Sequence, residues 1–347
     1  MEKLINLIPY SIPLSEPISI SFSTFNSYEG FFLVSGESVG EASPFKPITG
    51  DTKEEGIKQF FSGVQPTSST LLAALDFLEH DIASREKGIP AYKLYRDTPK
   101  VVPNSVTVFL KNSLDETERE ASRLITKFPH TKLIKIKLKG EGDLDRCNAV
   151  KNGIGKNVSY VLDANQGFSD ENDAIQTLAK IFECLENVIL VEEPCKKGEL
   201  LKAKKITESF TDVCIAADES CCSLQDLEQI IKEKAFSGIN IKLQKCGGIK
   251  RGLKLASLAK DAGLSVMVGQ MFETQSSTAA GVHFASILDN CLFTDLDMDL
   301  ELPQIFKEIC PFIDGKRLPI EAPGFGINFS SVDERYLQRN LPEIFNA

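Results

Sequence analysis

The residues that could do chemistry stand in short clusters: Lys135-Ile136-Lys137, Asp163-Ala164-Asn165-Gln166, Glu192-Glu193-Pro194, Asp218-Glu219-Ser220 and Asn240-Ile241-Lys242-Leu243. Taken singly, each carboxylate has a bland reading: Asp163 could open a turn, Glu192 could be solvated at a strand end, and Asp218 could precede a helix cap. Asp163, Glu192 and Asp218, however, close three consecutive apolar runs at matching positions. Three carboxylates brought to one place repel one another unless a cation lies between them. Hard oxygen ligands suit Mg²⁺. Lys135 and Lys137 alternate by two and so share one face of a strand, and Lys242 holds a corresponding position on a later one. A lysine is a poor base at its ordinary pKa of about 10.4. A neighbouring ammonium, a nearby divalent cation and desolvation all favour its neutral form. Two such lysines on opposite sides of a substrate can take a proton from one face and return one to the other.

The elements that must position these residues repeat along the chain. Apolar or β-branched runs occur at Ser105–Leu110, Leu133–Leu138, Tyr160–Leu162, Val188–Val191, Val213–Ala216, Ile239–Leu243, Ser265–Val268 and Cys291–Phe293. Most gaps between them read as helix. Such alternation predicts an α/β fold with a closed parallel (β/α) barrel, whose active site forms at the C-terminal ends of the strands. An open doubly wound sheet gives similar local signals but usually fewer strands, and no phosphate-cradling glycine fingerprint follows the first run. The first hundred residues differ. They carry apolar runs (Ile18–Phe22, Phe31–Val34), a Gly- and Pro-containing loop (Gly36–Gly50) and a helix expected over Ser69–Lys87, which reads as a small α+β domain.

At 347 residues the chain is long enough for a barrel of about 250 residues and a smaller domain. A formal charge of −10 argues against nucleic acid as a partner. No stretch approaches the ~20 apolar residues of a membrane helix, and MEKLINLIPYSIPL does not read as a signal peptide. Nine cysteines without a C-x-x-C pair are expected to be reduced thiols in a cytoplasmic protein. The histidines, His80, His130 and His283, are expected to be isolated from acids and from metal-ligand patterns. Acid–base work therefore falls to other side chains.

The clusters, in this order and spacing, resemble the muconate-lactonizing-enzyme subgroup of the enolase superfamily. The likeness includes Gly247-Gly248-Ile249, the G-E-S-V-G-E-A segment at 36–42 and P-G-F-G at 323–326. The resemblance implies a (β/α)7β TIM-like barrel over 104–315, an α+β capping domain over 1–103, and a segment at 316–347 returning to the cap. It also implies one Mg²⁺ that stabilises an enediolate, bound by Asp163, Glu192 and Asp218. Lys137 and Lys242 would be the acid–base pair, with Lys135 tuning the first. Glu193 stands where the family more often has Gln.

Within the subgroup, Asp295-Leu296-Asp297 resembles the D-x-D with which dipeptide epimerases bind a free ammonium group. Ile48-Thr49-Gly50-Asp51 and Thr107 also match those enzymes. The expected activity is inversion of the α-carbon of a dipeptide's C-terminal residue. Rival readings are an N-acylamino acid racemase, an o-succinylbenzoate synthase, a muconate cycloisomerase, or a non-catalytic binding barrel. Ser23 falls where epimerases of L-Ala-L-Glu carry an arginine. Phe22 and Phe25 could then line an apolar pocket, with Lys46 as the nearest substitute cation. The seventh run adds Met267 and Gly269 as expected substrate contacts. The partner is a small molecule, with a homo-oligomer possible.

Overall fold

The computed structural model describes residues 4–20 and 23–338, and the side chains of residues 15–20, 23, 24 and 301 are outside that description. The chain opens with an antiparallel sheet of β1 (Asn6–Ile20), β2 (Ser23–Ser35) and β3 (Ser38–Ala42), in that order. The continuous apolar run Phe31–Val34 in β2 is explained by cover on both faces. Phe31 and Leu33 pack with Leu7, Ile57, Leu71 and Leu78, while Phe32 and Val34 join Tyr10, Ile12 and Phe77 in the main core. Helices α1 (Lys46–Thr49), α2 (Lys53–Ser62) and α3 (Ser69–Glu86) follow. Ser68 caps α3 by accepting from the N–H of Leu71 at 3.1 Å. His80 corrects the expectation of isolated histidines: its Nδ1 lies 3.5 Å from Asp76, one helical turn away.

The barrel strands are β4 (Val106–Val108), β5 (Leu133–Lys137), β6 (Ser159–Asp163), β7 (Val188–Glu192), β8 (Cys214–Ala217), β9 (Gly238–Lys242), β10 (Ser265–Gly269) and β11 (Cys291–Asp295). They form one sheet in sequential order. Thr294 donates to Pro103 and Ser105 donates to Thr294, each at 2.8 Å, which brings the last strand beside the first. The intervening helices are α4 (Leu114–Lys127), α5 (Asp143–Ile154), α6 (Glu171–Cys184), α7 (Leu200–Ser209) and α8 (Leu224–Glu233). A single turn, α9 (Leu243–Cys246), then precedes α10 (Ile249–Asp261) and α11 (Gln275–Ile287), and β11 is followed by α12 (Met298–Glu301). All eight expected strands form, within a few residues of their predicted bounds. Among the described residues no helix is long and apolar enough to cross a membrane, and all nine cysteines are free.

The strands' inward faces are layered. Leu133, Val161, Leu190, Ala216, Met267 and Phe293 form an apolar floor inside the barrel. Two residues further along, the same inward face carries Lys135, Asp163, Glu192, Asp218, Gly269 and Asp295. A two-residue period thus turns a dry floor into a charged layer.

Candidate active site

Lys135 is fully buried, and its Nζ lies 2.9 Å from Asp163 Oδ2, 2.9 Å from Glu192 Oε1 and 2.6 Å from Asp295 Oδ2. Lys137 donates to Asp163 Oδ2 at 2.6 Å and to Asn165 Oδ1 at 3.2 Å. Lys242 donates to Asp218 Oδ2 at 2.6 Å. Lys137 is in register with Asp163, and Asp163 with Glu192. β5 and β9 stand four places apart in a ring of eight, so Lys137 and Lys242 approach from opposite sides. Both line one open cavity, together with Lys135, Asn165, Asp218 and Glu219.

The carboxylates and lysines set one another's protonation. Burial pushes Asp163 up, but Lys135, Lys137 and Lys242 outweigh it and hold it well below the usual carboxylate range. Asp218 is held low in the same way by Lys242 and Lys245. Burial pushes Glu192 up, Lys135 opposes, and Asp163 and Asp218 push it up again, to about 7. The expectation of neutral amines counted on a nearby divalent cation; the carboxylates by themselves act the other way. Burial alone would favour neutral amines, yet Asp163, Asp295 and Glu192 raise Lys135 well above its ordinary value, and Asp218 raises Lys242. The carboxylates have lysine ammoniums as their counter-ions, and that attraction exceeds desolvation and lysine–lysine repulsion.

The donor set fits a hard divalent cation. Among the described residues no three acidic or histidine side chains converge as a ready-made cage, because lysines lie between the carboxylates. Glu219 Oε2 is nevertheless a buried acceptor to which no hydrogen bond is aimed, and Glu192 Oε1 has the Lys135 ammonium, at 2.9 Å, as its neighbour. Asp163, Glu192 and Asp218 are close enough for their charges to act on one another. Oxygen ligands of this kind suit Mg²⁺.

Asp295 accepts from Ser105 Oγ at 2.8 Å, and Asp297 Oδ2 accepts from the Thr107 N–H at 2.7 Å. Burial and the charge of Asp295 raise Asp297 to about 7. Both aspartates, Thr107 and Ile48 line the cavity, as do Phe45, Phe109, Gln270, Met271, Phe272 and Met298. Phe25 packs behind this wall, 5.0 Å from Phe45 and 5.1 Å from Phe272 between ring centroids. Other expected contacts fall elsewhere. Met267 belongs to the apolar floor. Gly269 makes room for Asn240, whose amide oxygen a Cβ there would meet at 2.8 Å. Lys46 is exposed and outside the cavity wall. Phe22 and the Ser23 side chain lie outside the described residues.

Several supporting residues went unassigned in the sequence although they sit inside the motifs. Asn240 donates to Glu192 Oε2 at 3.0 Å. Glu193 reaches to the end of the next strand, accepting from the N–H groups of Asp218 at 2.8 Å and Ser220 at 3.0 Å. The signal for Asn240 was its inward parity with Lys242. Glu193 gave none, since its partners are a strand away.

Comparison with known proteins identifies the family. A profile of the family described as Enolase C-terminal domain-like matches residues 116–333. A hydrophobic dipeptide epimerase of Enterococcus faecalis is 31% identical over 287 residues, covering 79% of this chain and 77% of the relative. An L-Ala-D/L-Glu epimerase of Clostridium acetobutylicum is 28% identical over 316 residues, covering 83% and 87%. Among solved structures, a dipeptide epimerase from Enterococcus faecalis complexed with Mg and L-Leu-L-Tyr superposes with a TM-score of 0.85 at 25% identity. The match covers 94% of this chain and 99% of the other. The barrel, its charged mouth and these likenesses place the chain in the enolase superfamily, as a member of the Enolase C-terminal domain-like family similar to dipeptide epimerases.

Proposed function

We propose that the protein is a magnesium-dependent dipeptide epimerase that inverts the α-carbon of the C-terminal residue. The observation that carries this reading is the placement of Lys137 and Lys242 on opposite strands of one cavity, with Asp163, Glu192 and Asp218 in the same layer. Mg²⁺ bound to those carboxylates would supply the positive charge that stabilises the substrate carboxylate as its α-proton leaves. A lysine on one side removes that proton, and the lysine on the other side delivers one to the opposite face. Asn240 and Lys135 hold Glu192 and Asp163 in place. Asp297, with Asp295 beside it, faces the substrate's free ammonium, and that pair favours a dipeptide over the N-acylated substrates of related racemases. The Mg-complexed dipeptide epimerase noted above supports both the cation and the substrate class.

The test is a dipeptide library incubated with the enzyme and Mg²⁺ in D₂O, with each peptide also supplied N-acetylated. Deuterium is expected at the α-carbon of the C-terminal residue, in free peptides and far less in acetylated ones. Exchange confined to N-acyl compounds would transfer the assignment to the racemase reading, and no exchange anywhere would refute both.

A further inference from the structure

Lys245 is a buried ammonium without a part in the proton transfer described above. It sits on α9, three residues after Lys242. An ammonium has three N–H donors and no acceptor, and here each donor has a partner. They are Asp218 Oδ1 at 2.8 Å, the Asn240 carbonyl at 3.0 Å, and the carbonyl of Asp218 itself. No donor is left over for a substrate. Asp218 is correspondingly fixed. Its N–H goes to Glu193 Oε2 at 2.8 Å, and its carbonyl and Oδ1 go to Lys245. Oδ2 meets Lys242 at 2.6 Å, and both of those residues line the cavity.

A carboxylate can offer a cation one oxygen or two, and cations differ in which they accept. Ca²⁺ takes about 6–8 oxygens at about 2.3–2.6 Å and readily accepts both from one carboxylate, whereas Mg²⁺ demands near-octahedral geometry at about 2.0–2.1 Å. Oδ1 is held by Lys245, which lies off the cavity wall, whereas Oδ2 is shared only with Lys242 on that wall, so Oδ2 is the oxygen Asp218 can offer. We propose that Lys245 is a positioning residue that restricts Asp218 to one-oxygen ligation and so biases the cation site toward Mg²⁺ and against Ca²⁺. This inference rests on the reading of Asp218 as a cation ligand. Charge alone does not make the distinction, because losing one ammonium strengthens attraction for both divalent ions alike. The ratio of the two affinities therefore isolates the geometry.

The experiment is calorimetric titration of the full chain with MgCl₂ and, separately, CaCl₂, for the wild type, Lys245→Met and Asp218→Asn. In Lys245→Met the preference for Mg²⁺ over Ca²⁺ is expected to fall about tenfold, the low end of what outer partners of metal ligands contribute. Asp218→Asn is expected to weaken both ions. An unchanged ratio in Lys245→Met, with both ions weakened in Asp218→Asn, would overturn the role of Lys245 and leave the cation site standing. Unchanged binding of both ions in Asp218→Asn would overturn the ligand assignment, and this inference with it. Should Lys245→Met fail to fold, Lys245→Arg takes its place with the same readout. It keeps the charge, but its planar fork does not serve three acceptors arranged as a tripod.

Discussion

Lys137 and Lys242 each share a carboxylate with a second lysine, and that pairing decides what their removal does. Asp163, which takes Lys137 at 2.6 Å, also has Lys135 at 2.9 Å. Asp218, which takes Lys242 at 2.6 Å, also has Lys245 at 2.8 Å. Lys137→Ala or Lys242→Ala therefore leaves no buried carboxylate without a counter-ion, and the unfolding midpoint is expected to stay close to wild type. Epimerisation should fall by at least the ~10²–10⁴-fold typical of a general acid or base. One variant is expected to retain solvent exchange of the α-proton of a single epimer, followed by NMR in D₂O. Full epimerisation in either variant would show that its lysine is not one of the pair. Lys135 should behave differently. It lies within 2.9 Å of Asp163, Glu192 and Asp295, and among the described residues no second lysine pairs directly with Glu192 or Asp295. Lys135→Ala is expected to cost about 3–5 kcal/mol of stability, the cost of breaking a buried ion pair from one side, measured by chemical denaturation.

Among the elements, the cap is held to the barrel by two of its acids, each placed at the start of a barrel helix. Glu41, at the end of β3, accepts from Tyr10 OH at 2.7 Å, Thr274 N–H at 3.0 Å, Thr274 Oγ1 at 2.6 Å and Ser277 N–H at 3.0 Å, at the N-terminus of α11. Asp76, on α3, accepts from the Ile249 N–H at 2.6 Å at the N-terminus of α10. Helix N-termini carry unpaired N–H groups and a partial positive charge, so a carboxylate suits both places. Gly248, at φ +104°, permits the second approach, since a Cβ there would lie 2.6 Å from Asp76. The helices and strands themselves were legible in the sequence, because caps, turn glycines and apolar runs are local signals. This docking was not, because Glu41 and Thr274 stand 233 positions apart and neither belongs to a pattern that names the other. Glu41→Ala is expected to destabilise the protein by about 3 kcal/mol, since it strands several buried donors. Glu41→Gln keeps one acceptor oxygen and should lose less. Equal urea midpoints for Glu41→Ala and wild type would show that the contact does not hold the cap.

For the molecule as a whole, the cavity belongs to neither domain alone. The cap gives Phe45 and Ile48 to its wall, and the barrel gives Phe109, Met271, Phe272 and Met298. The rings of Phe25, Phe45 and Phe272 meet across the junction at 5.0–5.4 Å. The barrel mouth was legible because its lysines and carboxylates recur at fixed positions on successive strands. The roof was only partly legible: Phe25 and Ile48 were anticipated, but Phe45 and Phe272 gain meaning only when two distant loops close on each other. The same closure bears on the substrate's side chain. Lys46, the cation expected to substitute as partner of a glutamate side chain, is exposed and off the wall, so the described cap side of the cavity is apolar. A side-chain carboxylate buried there would lack a partner, which is strongly disfavoured. Burying a leucine or phenylalanine side chain instead gains about 1.5–3 kcal/mol. L-Ala-L-Phe and L-Ala-L-Leu are therefore expected to exceed L-Ala-L-Glu in kcat/KM by about 10–100-fold, the rate equivalent of that gain. A preference for L-Ala-L-Glu that disappears in Lys46→Ala would instead show that Lys46 reaches the substrate when it binds, and the apolar reading of the roof would fall.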